Sequence, residues 1–298
     1  MNKILTVFSV KDLENLSGIK AHTIRIWEKR YELFAPQRTD NNIRYYTTDD
    51  LKKLLNIAFL NSFGYKISKI AALSDGEIKD LVQQIHSEKT SASIAIANFK
   101  LAMFHFDSAL FHKTYDDLKK TKSFEVIFEE VFMPLLDEIG LLWQTETLKP
   151  IHEHFISSLI RQKLFSAIEH LQLQQESVSN DEVFVLFLPL QEIHELGILY
   201  VHYLLLQKGK TVVYLGENVP VADLKSVTSL FDKITFVSYF TVYPTTDKVN
   251  DYLLDFHYEI LQEKGNQLWI LGRQSQFLNK EIEGIRSFSS IKDMLMLT

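Results

Sequence analysis

The chain has 298 residues, of which 46% are hydrophobic, so it can form about two domains with buried cores and is not a disordered chain. It contains no cysteine, which excludes a disulfide framework, thiolate catalysis, cysteine-ligated zinc and iron–sulfur clusters. Its longest apolar stretch, residues 183–190, is much shorter than the roughly 20 residues of a membrane-spanning helix, and no secretory signal is visible near Met1. We therefore expect a cytoplasmic protein without a membrane partner.

The net charge of -6 is distributed unevenly along the chain. Up to Ser74 there are 12 Lys and Arg against 7 Asp and Glu, so this segment carries +5 and the remainder carries -11. A basic head joined to an acidic body indicates that the head binds a polyanion. The alternative is a solvated surface of mixed charge whose bias has arisen by chance.

The head, residues 1–75, is predicted to contain three short helices and a hairpin. Ser9 can cap a helix over residues 10–16, and a glycine-containing turn separates it from a second helix over Ala21–Tyr31. Residues 36–46 contain an Asp-Asn-Asn turn and predict a hairpin. A third helix is expected to begin after a Thr47-Thr48 cap and to run through residues 51–60. Two short helices joined around a glycine are typical of a helix-turn-helix.

Polar and basic side chains occur where such a head would contact DNA. A recognition helix presents the residues at its start to bases and phosphates, and a hairpin can grip the backbone beside it. The candidate residues are Lys20, His22, Thr23, Arg25, Arg30, Arg38, Arg44 and Tyr45. The alternative is a small helical domain with scattered surface cations.

The motif Thr-Ile-Arg-Ile-Trp-Glu-Lys-Arg-Tyr at residues 23–31, with Arg44-Tyr45-Tyr46 after it, resembles the winged helix-turn-helix of MerR-family transcription regulators. The resemblance extends over roughly residues 5–74. It implies a homodimer, or a higher homo-oligomer, that binds a double-stranded DNA operator. It also implies that Trp27 packs in the core of the head.

The remainder of the chain changes period at a polar break over residues 174–181. Before the break, helical periodicity predicts a four-helix bundle, with helices over residues 94–110, 115–120, 124–143 and 151–173. After the break, strand-length apolar runs alternate with helices, at residues 183–188, 211–215, 234–237 and 268–271. This alternation predicts a parallel sheet covered on both faces. The expected domains are therefore residues 1–75, 76–175 and 180–298.

Glu192, His194 and Gly197 directly follow the first predicted strand of this sheet. Loops at the carboxyl ends of parallel strands bind ligands in open α/β sheets. An imidazole there can coordinate a metal, a carboxylate can hold its other nitrogen, and a glycine lets a ligand approach the backbone. The alternative is a histidine with a structural role.

Glu-x-His-x-x-Gly after a first strand, with Ser238 after a later one, resembles the cobalamin-binding domain of Rossmann-like, flavodoxin-like fold. The resemblance implies that His194 replaces the cofactor's own base as the lower cobalt ligand and that Ser238 hydrogen-bonds the displaced base. Gly272 stands where that family has a Gly-Gly pair lining the nucleotide tail. Arg273 takes the place of the second glycine, where it would crowd the tail or contact its phosphate, so this departure bears on affinity more than on the fold.

Trp143 is followed, after nine residues, by Glu153 and His154, and Pro150 is expected to begin the helix that carries them. By itself this pattern fits a core tryptophan with two solvated polar residues. It also resembles the helical cap of light-sensing regulators of the CarH type. There the tryptophan packs on the adenosyl group, and the Glu and His line the same face.

In those photoreceptors the histidine that can bind cobalt after illumination directly follows the tryptophan, a position held here by Gln144. An amide is a poor ligand for cobalt, so His152 and His154 are the remaining candidates.

The combined interpretation is a transcription regulator that senses adenosylcobalamin, with light as a second expected input. One alternative is a regulator whose cobalamin domain is degenerate and responds to another ligand or a protein partner. A second alternative, a cobalamin-dependent methyltransferase or corrinoid carrier, would need a catalytic domain for which no residues remain. We therefore expect a protein that is not an enzyme.

Overall fold

The computed structural model describes residues 7–39, 41–62, 64–84, 88–144, 148–174, 182–262, 265–278 and 281–298. The chain divides into two compact units, Met1–Leu159 and Ile160–Thr298, and the division falls inside the long helix α10 (Pro150–Gln172). Most of the polar break predicted at residues 174–181 lies outside the described residues. Among the described helices, none combines the length and apolarity needed to cross a membrane.

The first unit begins with the predicted pair of helices, α1 (Val10–Ser17) and α2 (Ala21–Tyr31). Ser9 caps α1 through a reciprocal capping box, because its hydroxyl accepts from the backbone N–H of Asp12 while the Asp12 carboxylate accepts from the backbone N–H of Ser9. Gly18 ends α1 in the left-handed conformation with φ of 73°. These local signals explain why the two helices were predictable.

The hairpin and the following helix complete the head. Strands β1 (Gln37–Arg38) and β2 (Arg44–Tyr45) pair antiparallel. Helix α3 (Thr48–Ser62) begins at the predicted cap, where the Thr47 hydroxyl and the Asp50 carboxylate cap its first turn. The short helices α4 (Ile67–Ile70) and α5 (Asp75–Gln84) follow.

The helical segments after the head confirm a bundle but not every boundary. The predicted helix over residues 94–110 is two helices, because the chain turns at Phe106 with φ of 53° and Asp107 caps the second helix. A π-helical turn at Phe128–Phe132 interrupts the next segment. The helices before α10 are α6 (Glu88–His105), α7 (Ser108–Lys119), α8 (Phe124–Ile127) and α9 (Met133–Gln144).

The second unit contains a five-stranded, entirely parallel sheet with strand order β4-β3-β5-β6-β7. Its strands are β3 (Val183–Phe187), β4 (Thr211–Tyr214), β5 (Ile234–Tyr239), β6 (Gln267–Leu271) and β7 (Ile285–Ser287). Its helices are α11 (Leu196–Gln207), α12 (Lys225–Thr228), α13 (Val249–Ile260) and α14 (Ile291–Leu295). This is the predicted Rossmann-like sheet in the flavodoxin-like order.

Three features of this unit differ from the predictions. The helix expected over residues 221–231 is a 3₁₀ turn, Val221–Leu224, followed by the single turn of α12. Strand β7 and helix α14 were not predicted, since both are short and β7 is mostly polar. The strand order reverses beside β3, so the carboxyl ends of β3 and β5 flank the crevice where such sheets bind ligands.

Candidate functional site

Glu192 joins the loops that follow β3 and β5. Its side chain is fully buried, and one carboxylate oxygen accepts from the backbone N–H of His194 at 3.0 Å. The other oxygen accepts three backbone N–H groups of the second loop, those of Thr241, Val242 and Tyr243, at 2.7–2.9 Å. The carboxylate therefore fixes both loops at the point where the strand order reverses.

The pKa of Glu192 reflects this environment. Burial by itself would raise the pKa, but the hydrogen bonds from His194 and from the backbone of Tyr243 and Val242 outweigh it and bring the pKa to about 2. The side chain is therefore a carboxylate near neutral pH. As a carboxylate it accepts hydrogen bonds from His194 and from the backbone N–H groups of the loop after β5.

His194 stands on this carboxylate and is exposed. Its Nδ1 lies 2.6 Å from Glu192 Oε1, and its side chain is 47% accessible. A proton on Nδ1 that is donated to the carboxylate leaves Nε2 as the nitrogen with a lone pair suited to a metal. The two residues thus form a carboxylate-oriented imidazole at the carboxyl edge of the sheet.

Exposed apolar side chains occur in the loops at this carboxyl edge of the sheet. Leu190 and Ile193 share the loop of His194, Leu215 follows β4 and Val242 follows β5, and each exposes more than a third of its surface. Apolar residues grouped around one convergent polar group are typical of a ligand site.

Gly197 and Tyr239 are in close contact at the start of α11. A Cβ built on Gly197 would lie 2.8–2.9 Å from three ring atoms of Tyr239, so no larger residue fits at this position. Gly197 was expected to give a ligand access to the backbone. In the structure the Tyr239 ring takes that space.

Ser238 and Gly272 are likewise enclosed by protein atoms. Ser238 is fully buried in β5, and its hydroxyl donates to the carbonyl of Phe187 at 2.8 Å. Gly272 has φ of 95°, and a Cβ there would lie 2.5 Å from the carbonyl oxygen of Phe240. Arg273, beside it, is exposed. The glycine at 272 is therefore required by its backbone conformation and by the neighbouring strand.

A polar cluster that the sequence analysis missed lies next to His194. Glu195 is buried, and its carboxylate lies 2.8 Å from Arg161 Nε of α10 and accepts from the Tyr214 hydroxyl at 2.8 Å. Burial and the bond to Glu195 raise the pKa of Tyr214 far above its ordinary value, so the phenol remains a donor. No local pattern links these residues, which come from three separate elements.

The remaining predicted ligand residues belong to the first unit. Glu153, in the first turn of α10, accepts from the Ser157 hydroxyl at 2.9 Å and lies 3.1 Å from the exposed His154 ring. Trp143 and Gln144 end α9, and their side chains lie outside the described residues.

His152 is packed between aromatic rings. Its imidazole lies 5.2 Å from Phe104 and stacks on Phe106 at 5.1 Å, and Phe104 in turn meets the edge of Phe8 in the head. Burial and the charge of Lys149 lower the pKa of His152. These contacts give His152 a packing role beside Glu153.

The head presents α2 with several exposed polar side chains. Arg25 and His22 are exposed along it. Trp27 is 7% exposed and packs in the core, as expected. Glu28 accepts from Arg44 Nε and from the Tyr46 hydroxyl, both at 3.0 Å, and so ties α2 to the hairpin.

The other predicted DNA-contacting residues have local partners. Lys20 lies 3.3 Å from Glu14, and Arg38 donates to the Asn42 side chain. Further contacts join Tyr45 to Gln37, Thr23 to His22 and the Arg30 guanidinium to the Tyr31 ring. Surface contacts of this kind are weak and can exchange for phosphate contacts.

Two domain families match the chain. Residues 8–77 match the MerR HTH family of regulatory proteins, and residues 95–166 match a B12 binding domain. The first range covers the head and the second covers most of the helices from α6 to α10.

Two curated relatives span most of the chain. The HTH-type transcriptional repressor CarH of Myxococcus xanthus is 28% identical over 70% of this chain and 70% of its own length. The HTH-type transcriptional repressor CarA of the same organism is 25% identical over 72% of this chain and 70% of its own.

A solved structure shares the fold beyond the head. The monomethylamine corrinoid protein of Methanosarcina barkeri aligns with a TM-score of 0.55 at 14% identity, over 67% of this chain and 96% of that protein. This likeness supports the architecture of helices followed by a parallel sheet.

Proposed function

We propose that this chain, a MerR-type transcriptional regulator with a B12 binding domain, uses adenosylcobalamin as the signal that controls its binding to operator DNA. The division into a DNA-binding head (residues 1–75), a helical cap (76–175) and a Rossmann-like domain (180–298) is part of this proposal. The protein acts by binding, without catalysing a reaction on a substrate.

The Glu192–His194 pair is the observation that carries the proposal. A single imidazole supplies one ligand to a metal, and a corrin ring supplies the ligands in its plane. The buried carboxylate orients the ring of His194 and raises its basicity, which is how proteins prepare a histidine for ligation. The exposed apolar side chains of Leu190, Ile193, Leu215 and Val242 offer a surface for the corrin ring.

The residues assigned to the adenosyl-facing side come from the first unit. We propose that Trp143 packs on the adenosyl group and that Glu153 and His154 line the same face. The Ser157 hydroxyl holds one oxygen of Glu153, so this carboxylate has a fixed direction at the start of α10. Gly197, Ser238 and Gly272, which the sequence predicted to bind the cofactor, are enclosed by protein atoms and are not part of this proposed set.

The signal is proposed to act through assembly. A ligand shifts an equilibrium between oligomers only by binding one of them more tightly than the other. Adenosylcobalamin therefore changes operator affinity by favouring one homo-oligomer. Bound adenosylcobalamin would supply light sensitivity, because Trp143, Glu153 and His154 would contact its adenosyl group and would lose these contacts, and with them the preference, when light releases that group.

A second candidate function keeps the regulator and drops the cofactor. The enclosed positions of Gly197 and Gly272, together with Arg273, favour a domain that responds to another ligand or to a protein partner.

The first test is an absorption spectrum of the full chain incubated with adenosylcobalamin in darkness, desalted and then illuminated. We expect retained corrinoid with a histidine-ligated spectrum, a change on illumination, and loss of histidine ligation in His194→Ala but not in the control His257→Ala. Absence of retained corrinoid in the wild-type chain contradicts the proposal and favours the second candidate.

A further inference from the structure

We propose that Tyr239 excludes the nucleotide tail of a corrinoid from the sheet, so that the protein recognises the corrin ring and its upper group alone. This inference rests on the proposed function and names the part of the ligand that determines binding. It concerns only residues of the second unit.

The nucleotide tail of cobalamin can be bound or excluded independently of the corrin ring. In cobalamin the tail carries the base that ligates the lower face of cobalt. When His194 takes that position, the released base remains tethered on the same face of the ring as the imidazole. It must then enter the carboxyl edge of the sheet beside His194 or remain in solvent.

The first place where a tail could enter is closed by a side chain. Gly197 lies in the first turn of α11, three residues after His194, and three atoms of the Tyr239 ring lie 2.8–2.9 Å from the position that a Cβ would take there. The space that Gly197 leaves beside the loop of His194 is thus filled by the ring of Tyr239.

The neighbouring positions on β5 and β6 are closed by backbone. The Ser238 hydroxyl is buried and donates to the Phe187 carbonyl, which directs it to the adjacent strand β3. Gly272 packs against the backbone of Phe240. A Cβ built on Gly272 would lie 2.5 Å from the Phe240 carbonyl oxygen. A backbone wall cannot move without breaking the strand pairing, whereas a tyrosine side chain can be removed by substitution.

Tyr239 is therefore the specificity determinant of this edge. A ring-and-histidine site that excludes the tail gains no affinity from the nucleotide. Truncation of Tyr239 opens a space beside Gly197, into which a planar aromatic base can pack.

The test compares adenosylcobalamin with adenosylcobinamide, which lacks the nucleotide tail, by spectroscopic titration of the full chain in darkness. For the wild-type chain we expect adenosylcobinamide to bind as tightly as adenosylcobalamin or more tightly, since the excluded base adds no binding free energy and His194 must displace it from cobalt. For Tyr239→Ala we expect the affinity for adenosylcobalamin, relative to that for adenosylcobinamide, to rise by about tenfold over the wild type, because the base then becomes buried. The control Tyr258→Ala, at an exposed tyrosine of α13, should match the wild type.

A wild-type preference for adenosylcobalamin of about tenfold or more would overturn this inference and leave the proposed function standing. Retention of neither corrinoid would overturn both together. The comparison of the two ligands on the wild-type chain needs no variant, so it decides the matter even where Tyr239→Ala fails to fold. A gain of affinity in Tyr239→Ala cannot result from misfolding.

Discussion

The carboxylate of Glu192 lies 2.6 Å from Nδ1 of His194 through one oxygen and holds three backbone N–H groups of the loop after β5 through the other. One buried side chain therefore sets both the direction of the imidazole and the distance between two loops. Because the ring is oriented by the fold before any ligand binds, the cost of ordering it is met during folding.

Substitution of Glu192 by glutamine should weaken corrinoid binding while leaving His194 in place. Both oxygens of the Glu192 carboxylate accept from N–H donors, and glutamine replaces one of these oxygens with an NH2 group. The imidazole thereby loses its oriented acceptor, and loss of such a partner reduces metal affinity by about 10- to 100-fold. The dissociation constant of Glu192→Gln measured by titration, with Glu217→Gln as control, checks this. An unchanged affinity would show that the carboxylate only joins the two loops.

Because of His202, we expect the free energy of unfolding to fall as the pH is lowered. It is 3% exposed on α11, neither ring nitrogen has a partner within the described part of the chain, and burial lowers its pKa from 6.5 to about 4. The unfolded chain therefore binds the proton first as the pH falls. The free energy of unfolding should decrease by about 3 kcal/mol between pH 6.5 and pH 4 through this residue.

His202→Leu removes this effect and should stabilise the protein at pH 7 by about 1–2 kcal/mol, since two unsatisfied nitrogens are lost. Nearby Tyr214 stays neutral over this range, since the ordinary pKa of 10.0 of a tyrosine is already higher and burial raises it further. Urea unfolding of both proteins at pH 7.5 and pH 5 measures the difference. Equal losses of stability on acidification would rule out His202 as the source.

Arg25→Ala should reduce affinity for duplex DNA by about tenfold and lower the dependence on salt by about one counterion. Arg25 is exposed on α2, so its removal leaves the core of the head intact. The measurement is fluorescence anisotropy with labelled duplex at several salt concentrations, with Arg286→Ala as control. Equal effects of both substitutions would mean that only overall charge matters.

Glu28→Gln should destabilise the hairpin. The Glu28 carboxylate accepts from Arg44 and from Tyr46, and its loss weakens two bonds to one charged group at a cost of about 1–3 kcal/mol. Urea unfolding and DNA binding should both weaken, in contrast to the control Glu32→Gln at an exposed position. Loss of DNA affinity without loss of stability would instead assign Glu28 a direct effect on the interface.

Much of the fold followed from local signals in the sequence. Ser9 and Gly18 marked the ends of α1, and apolar runs marked four of the five strands of the sheet. The break at Phe106 was missed because neither glycine nor proline accompanies its positive φ. Strand β7 was not predicted because its sequence is polar apart from Ile285 and so contains no apolar run.

The candidate site was predictable only where its residues are close in sequence. Glu192 and His194 are two positions apart, so their contact follows from the loop itself. The packing of Tyr239 on Gly197 and the ion pair of Glu28 with Arg44 depend on how distant elements pack, which periodicity does not encode.

The most direct test of the account is DNA binding with and without adenosylcobalamin. A duplex enriched from a random pool by the full chain would be titrated in darkness, with the ligand absent, present, and present after illumination. The account predicts that the ligand changes the dissociation constant by about tenfold or more, that light reverses the change, and that His194→Ala does not respond. Identical DNA affinity in all three conditions, in a protein that retains the corrinoid, would contradict it.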